Sequence, residues 1–188
     1  MVTTKTKRGL VSSGLLLAGL LAAGAAAPAA ADDMFLKMDG IQGESLDARH
    51  KGEMEILSYT QAATGPFARG TAGAGAAGKA VCGTVTIVKY VDLASPDLIL
   101  NALNGRHIPK AVITFRKPGQ QFEYYKVTLD DVIVTEVEQT DGKTQPRATE
   151  KVTLMGRRFN YEYTAQTPQG GTGGRPKAGW DCVAASKA

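Results

Sequence analysis

The sequence predicts a single, mainly β domain: an antiparallel β-barrel of two packed sheets with one short α-helix. Three observations support this class. Short runs of β-branched and aromatic residues recur along the chain, as they do in β-strands. Only one segment has the pattern of a helix, and strands and helices do not alternate as they would in a parallel α/β sheet. Residues 32–188 are numerous enough for one domain with a real core.

Residues 1–31 have the composition of a secretory signal peptide. A short basic region comes first, made by Lys5, Lys7 and Arg8. An apolar run and then small residues follow, so we expect cleavage between Ala31 and Asp32. A membrane-spanning segment is the alternative interpretation, but Gly and Ala dilute the run and no second stretch is long enough to span a bilayer. The mature protein is therefore expected to be secreted or periplasmic, without a stable membrane anchor.

The first half of the mature chain begins with two predicted strands, in residues 34–40 and 52–62. Residues 64–79 are almost all Gly, Ala, Thr and Pro, which predicts a long flexible loop. In residues 80–92, Val, Ile and Thr crowd together and favour a third strand.

The glycine-rich segment contains two overlapping phosphate-binding patterns. Gly73, Gly75 and Gly78 fit the dinucleotide pattern G-x-G-x-x-G. The P-loop pattern ends at Lys79, but Ala80 stands where a Ser or Thr would bind magnesium. Both patterns need a helix N-terminus whose free N–H groups face the phosphate. Because the segment leads into a strand instead, we expect no nucleotide cofactor.

Residues 95–105 form the one predicted helix. Ser95 is expected to cap it, and Pro96 suits the first helical position because its missing N–H is not needed there. Gly105 is expected to end the helix. Four side chains provide its apolar face: Leu98, Ile99, Leu100 and Leu103.

The second half of the chain returns to strands. They are predicted in residues 110–117, 121–129, 131–139 and 149–165, followed by a last short strand that carries Trp180 and Cys182. Pro118 and Gly119 indicate a turn between the first two. Phe159, Tyr161 and Tyr163 alternate with polar residues, which predicts one solvent-exposed face on that strand.

The charge of the mature chain is close to balanced. Of the 22 basic residues three lie in the leader, whereas all 18 acidic residues lie outside it. The mature net charge is therefore +1, from 19 basic and 18 acidic residues. Binding to nucleic acid or to an anionic membrane needs a concentrated basic face, so neither partner is expected.

The chain has two cysteines, Cys82 and Cys182. In an oxidising compartment an even pair without C-x-x-C spacing favours one disulfide, with two free buried thiols as the alternative. A disulfide here would close a loop of about 100 residues, for which chain entropy gives at most roughly 4 to 5 kcal/mol.

No catalytic or metal-binding pattern is present. His50 and His107 lack the partner spacing of a zinc site and are expected to be surface or hydrogen-bonding residues. Asp130 and Asp131 would point to opposite faces of a strand, so they indicate a turn or bulge rather than an acid pair. Four other acidic residues lack the spacing of a calcium loop: Asp39, Glu44, Asp47 and Asp92. We therefore expect a protein that is not an enzyme and that holds neither cofactor nor metal.

Five segments occur in an order and spacing typical of one known family. They are DMFLKMDGIQGES, HKGEMEILSYT, KYVDLASPDLILNALNGRHIPKAVITFRK, YYKVTLDDVIVTEV and GWDC. Together they resemble the Hcp family, the haemolysin-coregulated proteins that form the inner tube of the bacterial type VI secretion system. The resemblance runs from Asp33 to Cys182.

The resemblance implies a β-barrel with one helix on its side that assembles into hexameric rings, stacks into tubes and carries protein cargo in the channel. The leader departs from the family, whose tube subunits are made without one and polymerise in the cytoplasm. The leading hypothesis is an exported, non-enzymatic, ring-forming protein linked to type VI secretion. The alternative is a stand-alone secreted or periplasmic β-barrel binding module outside any contractile injection machine.

Overall fold

The computed structural model describes residues 31–65, 80–142 and 146–188. Their strands are β1 Asp33–Met38, β2 Met54–Ile56, β3 Ser58–Thr64, β4 Val81–Tyr90, β5 His107–Arg116, β6 Glu123–Thr140, β7 Thr149–Tyr163, β8 Lys177–Asp181 and β9 Ser186–Lys187. One helix, α1 Ser95–Asn104, follows β4. The expected signal peptide up to residue 30 and residues 66–79 of the predicted loop lie outside the described residues.

All the strand pairs are antiparallel and belong to one sheet, with the order β2-β1-β5-β6-β7-β4-β3 and with β8 and β9 branching from β7. The two ends of this order, β2 and β3, are separated in the chain by Leu57 alone. The sheet therefore curls until its ends nearly meet, without closing. The mainly β class with one short helix is confirmed, and the expected two packed layers are parts of one curled sheet.

A single apolar core fills the inside of the curled sheet. Its fully buried members come from six strands and from α1, and include Leu36, Met54, Val85, Ile87, Leu98, Ile113, Val127, Leu129, Val132, Val134, Val152, Leu154 and Phe159. Within β4, β6 and β7 they alternate with more exposed residues, in keeping with the two-residue period of a β-strand. Burial of these side chains therefore fixes which strand faces remain on the outside.

Two strand predictions were wrong in their boundaries. The expected strand in residues 52–62 is two strands, β2 and β3, because the chain passes between the two sheet ends at Leu57. The expected strands in residues 121–129 and 131–139 are one long strand, β6. Asp131 has a left-handed backbone, φ 54°, but pairing with β5 continues on both sides of it. The predicted turn or bulge is thus wrong, and the strand register is continuous on both sides of Asp131.

The helix begins and ends near its predicted limits, but its contacts differ from the prediction. Ala94, not Ser95, is the N-cap residue, and Ser95 is the first residue of α1. Gly105 ends the helix in the left-handed conformation, φ 63°, as predicted. Leu98 is fully buried, whereas Leu100 and Leu103 are exposed. The helix therefore has a second apolar face that points away from the core.

Candidate interaction surfaces

A buried ion cluster positions α1. Lys89 Nζ lies 2.6 Å from Asp92 Oδ1 and 2.8 Å from Glu150 Oε1, and the side chains of Lys89 and Glu150 have no solvent exposure. Ser95 Oγ donates to Glu150 Oε1 at 2.8 Å. This carboxylate explains why Ser95 does not cap the helix, because its hydroxyl is used across the core. The cluster joins β4, β7 and the start of α1, and buried charges are stable only when paired in this way.

A second polar cluster lies at the C-terminal end of β5, around Arg116. Arg116 Nη1 donates to Asp47 Oδ2 at 2.7 Å, and Arg116 Nη2 donates to Asp33 Oδ2 at 3.1 Å. The Arg49 backbone N–H, helped by the Arg116 guanidinium, holds the pKa of Asp47 below its usual value. The guanidinium also lies over the Phe35 ring, 4.9 Å from its centroid. These contacts tie the connection between β1 and β2 to the sheet.

The two histidines lie in different surroundings. His50 is buried rather than on the surface, because its ring stacks on Phe35 with centroids 4.1 Å apart. Its Nδ1 is 2.8 Å from Glu53 Oε2. His107 is exposed, and its Nδ1 is 2.5 Å from Asp131 Oδ1. In the described part of the chain neither ring hydrogen-bonds a hydroxyl, so no nucleophile–base pair is formed.

Three of the four acidic residues considered for calcium are used in ion pairs. Asp92 pairs with Lys89, Asp47 with Arg116, and Glu44 with Arg147 at 3.6 Å. Across residues 31–65, 80–142 and 146–188, no three metal-ligating side chains come together in a group that could hold an ion.

The two cysteines are joined by a disulfide at a fork in the sheet. Along one edge, β7 pairs with β4 through residues 149–154 and with β8 through residues 158–162. Cys82 lies near the start of β4, and Cys182 follows β8, where its N–H donates to Arg157 O at 2.9 Å. The disulfide thus bridges the two strands that diverge from β7.

Two exposed apolar surfaces stand out. The first, here the helix ridge, consists of Leu93, Leu100 and Leu103, which are 59%, 58% and 82% exposed. The second, here the cross-sheet groove, has a volume of about 650 Å³ and runs across the outer face from β5 to the disulfide. Its apolar lining includes Val81, Ile133, Met155 and Val183, and its polar side chains include His107, Asp131 and Arg157. Exposed apolar patches are candidate sites of contact with other chains.

Two further sequence predictions concern the strand after the glycine-rich segment and the question of membrane-spanning helices. β4 follows the glycine-rich segment, so the strand expected there is confirmed; Gly73 to Lys79 themselves lie outside the described residues. None of the helices in the described ranges is long and apolar enough to cross a bilayer.

Comparisons with known proteins agree on one family. The family model for "Type VI secretion system effector, Hcp" matches residues 35–163. Protein hcp1 of Pseudomonas aeruginosa is 34% identical over 152 residues, 79% of this chain and 94% of that protein. The crystal structure of Hcp1 from Salmonella typhimurium has a TM-score of 0.68 and 36% identity, covering 85% of this chain and 100% of that chain. A structure of a type six secretion system protein reaches a TM-score of 0.76 at 26% identity, covering 84% and 100%.

Proposed function

This chain belongs to the Hcp family of type VI secretion proteins, and on that premise we propose that it is an exported, non-enzymatic subunit of hexameric rings linked to type VI secretion. The observation that carries the proposal is the family match over residues 35–163, which includes the curled sheet from β1 to β7 and the helix. Rings of this kind would stack into tubes or carry protein cargo in their channel.

The exposed surfaces support ring formation. A head-to-tail ring requires two different contact surfaces on every subunit, one for each neighbour. The helix ridge and the cross-sheet groove are two such apolar surfaces on separate elements. Contact with a neighbour would remove both from water, which favours association by about 25 cal/mol for each Å² of apolar area buried.

Export to the periplasm or the medium is the second part of the proposal. Cleavage between Ala31 and Asp32 would leave the domain intact, since β1 begins at Asp33 and Asp32 Oδ2 accepts a hydrogen bond from Tyr124 at 2.5 Å. The disulfide also suits an oxidising compartment. Mass measurement of the exported protein tests this step, and a mass that includes residues 1–31 would contradict it.

Substitutions on the two surfaces test ring formation. Leu103→Glu in the helix ridge and Met155→Glu in the cross-sheet groove would place a charge in a subunit contact, so both variants should sediment as single chains where the parent sediments as rings. Leu46→Glu is the matched control, because Leu46 is 89% exposed and belongs to neither surface. Rings in both test variants would remove these surfaces from the interface, and a parent protein that never assembles would contradict the proposed function.

The cross-sheet groove also favours one alternative, a stand-alone binding module. The groove has an apolar lining, and His107 and Arg157 provide polar groups at its surface. This composition suits the binding of a peptide. A mature protein that stays a single chain at high concentration would make this alternative the better one.

A further inference from the structure

We propose that the Cys82–Cys182 disulfide is a redox-sensitive latch that holds the C-terminal hairpin, β8 and β9, on the edge of β7. In the oxidised chain the hairpin covers this edge. In the reduced chain the hairpin detaches and exposes it. The proposal does not depend on ring formation.

The hairpin has little burial of its own. From residue 177 to residue 188 only Asp181 is buried, and the one side chain of this segment that packs against the apolar core is the half-buried Cys182. β8 pairs with β7 from Lys177 to Asp181, and β9 is held on β8 by two residue pairs. Segments with few buried apolar contacts open locally at low free energy, so backbone pairing alone would hold the hairpin weakly.

In each ion pair that supports the hairpin at least one side chain is about half exposed or more. Lys177 Nζ of β8 lies 2.6 Å from Glu162 Oε2 of β7, and the Lys177 side chain is 67% exposed. Asp181 Oδ2 is 3.4 Å from Arg158 Nη2 and 3.8 Å from Arg157 Nε, and the two arginine side chains are about half exposed. Ion pairs open to water contribute little to stability. Asp181 Oδ1 accepts the N–H groups of Val183 and Ala184, which shapes the turn of the hairpin but adds no link to the rest of the sheet. The disulfide to β4 is therefore the strongest tether.

In a subunit outside a ring, two surface recesses border the disulfide. Cys82 lines the cross-sheet groove and also a second apolar recess, of about 260 Å³, formed by β3, β4, Phe159, Tyr161 and Trp180. A thiolate from a dithiol reductant would attack one sulfur and form a mixed disulfide, releasing the other cysteine as a thiolate. The second thiol of the reductant then displaces the remaining cysteine. Both cysteines become thiols, and the dithiol is oxidised to a disulfide.

Release of the hairpin would change what the surface offers to other chains. The backbone of β7 from Arg158 to Glu162 would lose its partner strand on that edge. Phe159, now 1% exposed, and Tyr161, stacked 6.3 Å from it, lie on the uncovered stretch. An unpaired edge beside apolar rings is a template for the addition of another strand. The oxidised latch thus protects the subunit from mispairing.

Hydrogen exchange of the mature protein, before and after treatment with dithiothreitol, tests the latch. We expect reduction to speed amide exchange by about tenfold or more in residues 177–187 and in those N–H groups of residues 158–162 that face β8 rather than β6, and to leave β5 unchanged. The emission of Trp180, the only tryptophan, should change in parallel. A Cys82→Ser/Cys182→Ser variant should match the reduced protein and not respond to dithiothreitol.

Two results would overturn the latch. Unchanged exchange in residues 177–187 after full reduction would mean that the hairpin is held without the disulfide. Equal acceleration in β5 and in the hairpin would mean that reduction unfolds the whole domain. The reduced parent protein gives the answer even where the double variant does not fold.

Discussion

The helix α1 and the C-terminal hairpin are both attached to the curled sheet, but by opposite means. The helix is fixed from inside, by Leu98 in the core and by the Lys89–Glu150 pair, whose side chains have no exposure. The hairpin is fixed from outside, by the disulfide and by half-exposed arginines on Asp181. The position of the helix therefore depends on the folding of the core, whereas that of the hairpin depends on the redox environment.

The largest expected effect comes from breaking the inner attachment. Lys89→Met would leave the carboxylates of Glu150 and Asp92 without their cation, so the free energy of unfolding should fall by about 3 to 5 kcal/mol in urea denaturation. Lys151→Met is a matched control on the same sheet, because Lys151 is 40% exposed and pairs with the exposed Glu138. It should cost less than about 1 kcal/mol. Equal losses in the two variants would show that burial of the cluster does not matter.

A smaller effect separates the two faces of the helix. Leu98→Ala would leave a cavity in the core and should cost about 2 to 5 kcal/mol of unfolding free energy. Leu103→Ala should cost no more than about 0.5 kcal/mol in the single chain, because Leu103 is 82% exposed. Thermal denaturation of both variants measures the difference. A large loss from Leu103→Ala in the unassembled chain would contradict the described packing.

The smallest expected effect is a loosening of the C-terminal hairpin at acid pH, when Asp181 becomes protonated. The backbone N–H of Ala184, together with Val183 and the arginines, lowers the pKa of Asp181 below 3.8. Because the folded-state pKa is the lower one, the stabilisation is complete above pH 3.8 and is lost as the pH falls through the lowered value. In the oxidised protein, where the hairpin lies on β7, Trp180 emission should report a loosening of the hairpin below about pH 4. Asp181→Asn should weaken this transition but not abolish it, because the hydrogen bond from Lys177 of β8 also lowers the pKa of Glu162 on β7. A transition unchanged in that variant would assign it to Glu162 or another group.

Much of this arrangement was predictable from local patterns. The β-branched run gave β4, and the glycine at position 105 gave the end of α1. The two-residue period of β4 places Lys89 on the buried face with Val85 and Ile87. A buried lysine, and hence an acidic partner for it, was therefore predictable from this strand. Because leucines lie on two faces of this short helix, the sequence does not show which face packs against the sheet. In the structure it is the face with Leu98.

Other features depend on contacts distant in sequence. His50 is buried because its ring stacks on that of Phe35. The two residues are distant in sequence, so no local pattern predicts this contact. The fork in the sheet arises because β7 is long enough to pair with β4 and β8 in turn. The strand pattern of residues 149–165 predicts β7 but not the partner strand of each half. The pairing of two cysteines was therefore predictable, but the two strands that the disulfide joins were not.

Native mass spectrometry of the mature chain, residues 32–188 with the disulfide intact, tests ring formation most directly. The helix ridge and the cross-sheet groove should both be covered in the assembly, and the hexamer mass is the predicted result. A single-chain mass at every concentration would contradict ring formation and would leave the groove as the binding site of a stand-alone module.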